Sequence, residues 1–183
     1  MRPETIAAER VDLVSLTEQI AGAILEGRRS DVQALGRFAL PEDWPDEHDR
    51  RFLALRRREM HADPSRTPWL VRAVVLRSEE RPMIGHVGFH GPPGRNARHE
   101  PRAVEVGYTV FPAYRGRGYA SEAVRALLDW ARGQGIDHFV ASIAPGNAAS
   151  LALARRLGFR EVGRHWDEAD GEELELELLS GAV

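Results

Sequence analysis

The chain has 183 residues, 43% hydrophobic and 29% charged, a mixture that suits one globular domain spanning 1–183 and excludes a disordered chain. Its 25 Lys and Arg against 28 Asp and Glu give a formal charge of −3, so no nucleic-acid partner is expected from bulk electrostatics, and the absence of cysteine removes disulfides, thiolate nucleophiles and cysteine metal sites. No apolar run reaches the ~18 residues that cross a bilayer, and MRPETIAAER lacks a secretory apolar stretch, so a cytoplasmic protein without a membrane partner is expected.

Val11, Leu13 and Leu16 read as a strand. Ser15 with Glu18 forms a capping box for a helix through Ile20, Ala23 and Ile24 that stops at Gly27. A second helical stretch runs to about Leu40, PEDWP at 41–45 breaks it, and a charged helix follows over 46–61. Its Arg50, Arg51, Arg56, Arg57 and Arg58 read as a solvated face, with a local basic patch as the rival. Residues 69–77 and 82–90 are β-branched and apolar around a SEER turn, the pattern of a hairpin. After a Gly/Pro/Asn loop at 91–102 comes a strand over 103–111. Ala120, Ala123, Val124, Leu127, Leu128 and Ala131 then form one helical stripe ending at Gly133 and Gly135. A strand at 138–144, a helix at 147–157 and a strand at 159–166 complete the pattern, with Asp170-Gly171 turning into a last strand through Leu179. The fold class is α/β with mixed α+β character: a mixed sheet of about seven strands flanked by helices.

Chemistry concentrates at 104–131. A strand runs into Arg115-Gly116-Arg117-Gly118-Tyr119-Ala120, and a helix begins inside that turn. Helix N-termini carry unpaired amides and partial positive charge, glycines let an anion approach, and two arginines add donors. The segment is a phosphate cradle. A Walker loop is excluded by the missing Gly-Lys-Ser/Thr ending. The dinucleotide fingerprint fails at its third glycine, where Ser121 stands, and its ribose-binding acid is misplaced, since Asp137 starts the next strand.

Arg115-x-x-Gly118-x-Ala120 resembles the Arg/Gln-x-x-Gly-x-Gly/Ala signature of the GNAT superfamily of acyl-CoA-dependent N-acyltransferases. PGNAASLALARRLGFREVG at 145–163 is similar to that family's second segment, in which an Asn (here Asn147) opens a helix ending in Leu157-Gly158-Phe159. Asn147 with Ser150, the opening ERVDLVSLT and the late Asp-Gly turn look most like the RimJ/RimL branch. The resemblance implies two central parallel strands, 103–111 and 138–144, that splay apart around acetyl-CoA. The pyrophosphate would lie on Arg115, Gly116, Arg117, Gly118, Tyr119 and Ala120. The pantetheine arm would pair with the backbone of Tyr108 and Val110, and Asn147 would lie near it. The rival reading is a tight turn at Gly116 and Gly118 and a plain helix cap at Asn147.

The resemblance also implies direct acetyl transfer to a primary amine, with Glu105, Ser150 and Asn147 as the catalytic candidates. Glu105 would be the base, directly or through water, and a strand amide would stabilise the oxyanion. Many relatives carry a Tyr acid four residues before the Gly of Leu-Gly-Phe. Here that position is Ala154, which leaves Ser150 or a water. His86 and His90 lie four apart on one strand, roughly 13 Å, too far for one metal, so no metal is expected and either could line the acceptor pocket. Trp44, Trp69 and Phe89 read as core. The expected partner is an amine acceptor, a protein N-terminus or a small molecule, and the expected assembly a monomer or homodimer. A non-catalytic acyl-CoA sensor is the alternative of another class, with Ala154 as its support.

Overall fold

The computed structural model describes residues 3–168 and 171–179. Eight strands form its sheet: β1 (Thr5–Ala7), β2 (Val11–Ser15), β3 (Val71–Leu76), β4 (Met83–Phe89), β5 (Ala103–Val110), β6 (His138–Ile143), β7 (Arg160–Asp167) and β8 (Gly171–Leu179). The helices are α1 (Glu18–Leu25), α2 (Arg29–Gly36), α3 (Glu47–Ala62), α4 (Tyr119–Gly133) and α5 (Ala148–Arg156). The spatial order is β1-β2-β3-β4-β5-β6-β8-β7, antiparallel throughout except for the central β5–β6 pair.

Helices cover both faces of the sheet, so each face has its own apolar layer. The stripe of α4 buries Ala123, Val124, Leu127, Leu128 and Ala131 against Val104 and Val106 of β5, with Leu151 and Leu153 of α5 in the same cluster. On the other side Ile20, Ala23, Val32, Leu53 and Met60, from α1, α2 and α3, join Ala73 and Val75 of β3. Trp44 and Phe89 are buried as expected of core residues.

Local departures from the sequence expectation have identifiable causes. The capping box at Ser15 does not form. Ser15 is the last residue of β2, paired with Arg72 and donating its amide to the Glu4 carbonyl, so Thr17 takes over and its Oγ1 accepts from the Ile20 amide at 3.4 Å. The second helix stops at Gly36, where Arg37 turns left-handed (φ 55°) and Ala39 bridges to Pro82. The strand expected from residue 69 begins at Val71, because a 3-10 turn over Pro64–Trp69, with donor-less Pro68 inside it, occupies its start. β1 is an additional edge strand. Asp170 lies outside the described residues, while Gly171 opens β8 at φ 82°.

Arg50, Arg51, Arg56 and Arg57 of α3 have partners within the chain rather than forming a local basic patch; Arg50 donates to the Leu25 carbonyl. Arg51 faces Glu47, Arg57 faces Glu26, and the largely buried Arg56 faces Glu59. Among the described residues no helix is long and apolar enough to cross a membrane.

One feature of the sheet positions the site. β5 and β6 pair only from Ala103↔His138 to Glu105↔Val140, although β5 continues to Val110 and β6 to Ile143. Past Glu105 each central strand keeps its outer neighbour, β4 or β8, and the two diverge.

Candidate active site

Where β5 and β6 part, a cavity of about 650 Å³ is lined from both faces of the sheet. Val106 to Thr109 of β5 and Ala141 to Ile143 of β6 contribute to its walls; Val124, Asn147, Ser150 and Ala154 line it from the α4–α5 side, and Asp49, Phe52 and Arg56 from α3.

Backbone direction follows from the ladder. The His90 amide donates to the Glu105 carbonyl at 2.8 Å, and the Phe111 amide to the Ile84 carbonyl at 2.9 Å, so the odd-numbered residues of β5 turn their peptide groups toward β4. By the alternation of an antiparallel pair, the N–H and C=O groups of Val106, Tyr108 and Val110 face the gap. The Val110 carbonyl also accepts from Arg115 Nε at 2.8 Å, which ties the strand end to the following turn.

That turn holds Gly116 at φ 73° and Gly118 at φ 83°, left-handed conformations that favour glycine. Gly118 is the N-cap of α4 and has no side chain to accept from the first helical amides, which therefore present N–H groups to solvent. Arg10, more than a hundred residues upstream, braces this cradle. Its Nε meets Glu122 Oε2 at 2.8 Å, a terminal nitrogen donates to the Arg117 carbonyl at 3.1 Å, and the guanidinium lies 4.8 Å from the Tyr119 ring centre. A groove of about 890 Å³ between β1 and α4 adjoins the cradle at Gly118, away from the gap.

Across the gap Asn147 caps α5, its Oδ1 accepting from the Ser150 amide at 3.1 Å. The Tyr108 phenol donates to Ser150 Oγ at 3.0 Å, which leaves the serine proton free to point into the cavity. Tyr108 was expected to contribute only its backbone. Its phenol, arriving from β5, lines the cavity together with Ser150 and Ala154.

Glu105 is 3% exposed and occupies the last position of β5 that pairs with β6. Its Oε2 accepts from the Ala97 amide at 2.6 Å, and its Oε1 lies 3.5 Å from His90 Nδ1. His90 lines the cavity, whereas Glu105 is absent from the lining.

The family model described as Acetyltransferase (GNAT) domain matches residues 10–160. The chain belongs to the GNAT acetyltransferase family. A Pseudomonas aeruginosa L-methionine sulfoximine/L-methionine sulfone acetyltransferase is 48% identical over 61 residues, 33% of this chain and 36% of that one. The chain spans about a third to three fifths of the length of the curated relatives it matches. A protein assigned to the GnaT acetyltransferase family from Bordetella pertussis superposes with a TM-score of 0.66 at 25% identity, over 96% of this chain and 99% of that one. RimL, a ribosomal L7/L12 alpha-N-protein acetyltransferase, shares the fold with a TM-score of 0.63 at 20% identity, over 97% and 94% of the two chains.

On the α3 side of this GNAT cavity stands a second His–carboxylate pair. His86 Nε2 lies 3.4 Å from Asp49 Oδ1, and the His86 ring stacks on Phe52 with centroids 5.2 Å apart. The neighbouring His86 ring holds the Asp49 carboxyl below the usual carboxylate range, against the opposing push of burial, with smaller help from Trp44 and His48. A depressed carboxylate stabilises the fold above its unfolded value of about 3.9 and loses that contribution as pH falls through the folded value. Asp49→Asn is therefore expected to lower the melting temperature at pH 7, with the gap to wild type closing below about pH 4. A gap independent of pH would show that Asp49 acts through packing alone.

Proposed function

We propose that the protein transfers an acetyl group from acetyl-CoA to a primary amine. The observation that carries this reading is an open strand edge on β5 followed, after the turn at 111–118, by a glycine-capped helix, with Ser150 and Asn147 opposite. The first amides of α4, with Gly116, Tyr119, Ala120 and the side chains of Arg115 and Arg117, would bind the pyrophosphate. The gap-facing peptide groups of Tyr108 and Val110 would pair with the pantetheine arm, and a β5 amide beside them would meet the oxyanion. No metal is needed for this chemistry.

The acceptor would enter from the α3 side, where Asp49 and Glu173 line the cavity and favour a cationic amine. Once nitrogen attacks the thioester carbonyl, the amine must lose a proton and the departing sulfur gain one. Ser150, receiving a hydrogen bond from Tyr108, would protonate sulfur. Glu105 and its neighbours serve the amine. The similarities to a small-molecule acetyltransferase and to the fold of a protein N-terminal one support an amine acceptor of either kind.

Calorimetric titration with acetyl-CoA, against NAD and ATP as controls, tests the cradle. Thiol release with a panel of free amino acids, short peptides and simple amines tests transfer. Selective micromolar binding with amine-dependent release is expected. Absence of acetyl-CoA binding would end the reading, and binding without release for any amine would favour a sensor.

A further inference from the structure

We infer that His90, oriented by Glu105, is the base that takes the acceptor's proton, and that Glu105 itself does not touch the amine. The inference rests on the proposed acetyl transfer and assigns its proton acceptor. Three observations carry it. Both Glu105 oxygens are engaged, one by the Ala97 amide and one facing His90 Nδ1, and the side chain is 4% exposed. From the cavity, an incoming amine meets His90 before that carboxylate, which is not part of the wall. His90, by contrast, has a side chain 51% exposed and lines the cavity.

The third observation is at Gly107. A Cβ placed on this residue would lie 3.1 Å from His90 Nε2, so the imidazole lies across the strand where a side chain would otherwise stand. Gly107 sits between Val106 and Tyr108, whose peptide groups face the gap. The ring therefore presents Nε2 beside the strand that would hold the thioester, while Nδ1 is turned to the buried carboxylate. A carboxylate at Nδ1 favours the tautomer with the proton on Nδ1, which leaves a lone pair on Nε2. Other charged or titratable groups near His90 are Arg56, which donates to its carbonyl, Glu59 behind Arg56, and Arg95, 3.9 Å from Glu59, while His48, Asp49, His86 and Glu173 share the wall of the cavity.

The step balances simply. Nitrogen of the neutral amine bonds to the thioester carbon, and the resulting cationic nitrogen gives one proton to His90 Nε2. The carbonyl π pair, moved onto oxygen by the attack, re-forms the double bond as the carbon–sulfur bond breaks with its electron pair on sulfur. Sulfur takes a proton from Ser150, which regains one from the Tyr108 phenol, itself reprotonated by solvent. The imidazolium, held against Glu105, returns its proton to solvent after the amide leaves.

Two measurements decide the assignment. Long-range proton–nitrogen NMR on histidine-labelled protein reads the tautomer without any acceptor. Wild type is expected to show His90 protonated on Nδ1, and Glu105→Gln to move that proton to Nε2. The reason is that Gln keeps its carbonyl on the Ala97 amide and turns its NH2 toward Nδ1. In the thiol-release assay with the most active amine of the panel, His90→Gln and Glu105→Gln are each expected to lower kcat/KM by about 100-fold or more. Acetyl-CoA affinity by calorimetry should be unchanged in both variants. A wild-type His90 protonated on Nε2 overturns the inference, as does a His90→Gln enzyme within about threefold of wild type while Glu105→Gln fails. If no amine in the panel reacts, the tautomer alone decides. Loss of acetyl-CoA binding in wild type would count against acetyl transfer, separately from the tautomer.

Discussion

Gly118→Trp is expected to reduce acetyl-CoA affinity by at least about 100-fold, or roughly 2.7 kcal/mol, in calorimetric titration. Two effects combine. Gly118 is at φ 83°, a conformation costly for a side-chain-bearing residue, and its hypothetical Cβ already lies 3.3 Å from a terminal nitrogen of Arg10. An indole there must displace Arg10, which braces the cradle through Glu122 and the Arg117 carbonyl, or project over the amides that would receive the pyrophosphate. Circular dichroism should show a retained fold, because Gly118 lies at a helix end. Unchanged affinity would remove the cradle assignment.

The second large effect concerns folding. Gly85→Val places a Cβ 2.1 Å from the Thr109 carbonyl oxygen and 3.0 Å from Val110 Cα. Backbone is not a yielding neighbour, so β4 must move away from β5 along the stretch where β5 has no partner on its other side. A loss of about 4 kcal/mol or more is expected in urea denaturation, at the extreme of single-substitution effects. Any surviving protein should also bind acetyl-CoA weakly, since the Val110 peptide shifts with the strand. A loss below about 1 kcal/mol would mean that the two backbones can separate locally at little cost.

Features carried by contiguous residues were legible before the structure. The left-handed glycines, the arginines around them and the α4 stripe belong to one stretch of chain, and local geometry follows from local sequence. The Asn147 cap and the splay between 103–111 and 138–144 were likewise placed by motif. Features that depend on register were not legible. The Tyr108–Ser150 bond spans 42 positions, the Arg10–Glu122 pair 112, and His90 meets Glu105 only because β4 and β5 pair in one particular offset. The Ser15–Glu18 pattern misled because it is spelled in sequence as well as a true cap, yet the sheet claims Ser15 first. β1 escaped notice because only Ile6 of its three residues turns inward.

The short contact between the central strands has a mechanical consequence. Three register pairs form the β5–β6 seam, from Ala103↔His138 to Glu105↔Val140, whereas β3–β4 and β4–β5 each have five and β6–β8 has six. The sheet is thus two plates hinged near one end of a common edge. A pantetheine arm lying along Tyr108 and Val110 would splint the open end of that edge, so the loaded molecule would resist shear between the plates more strongly than the empty one.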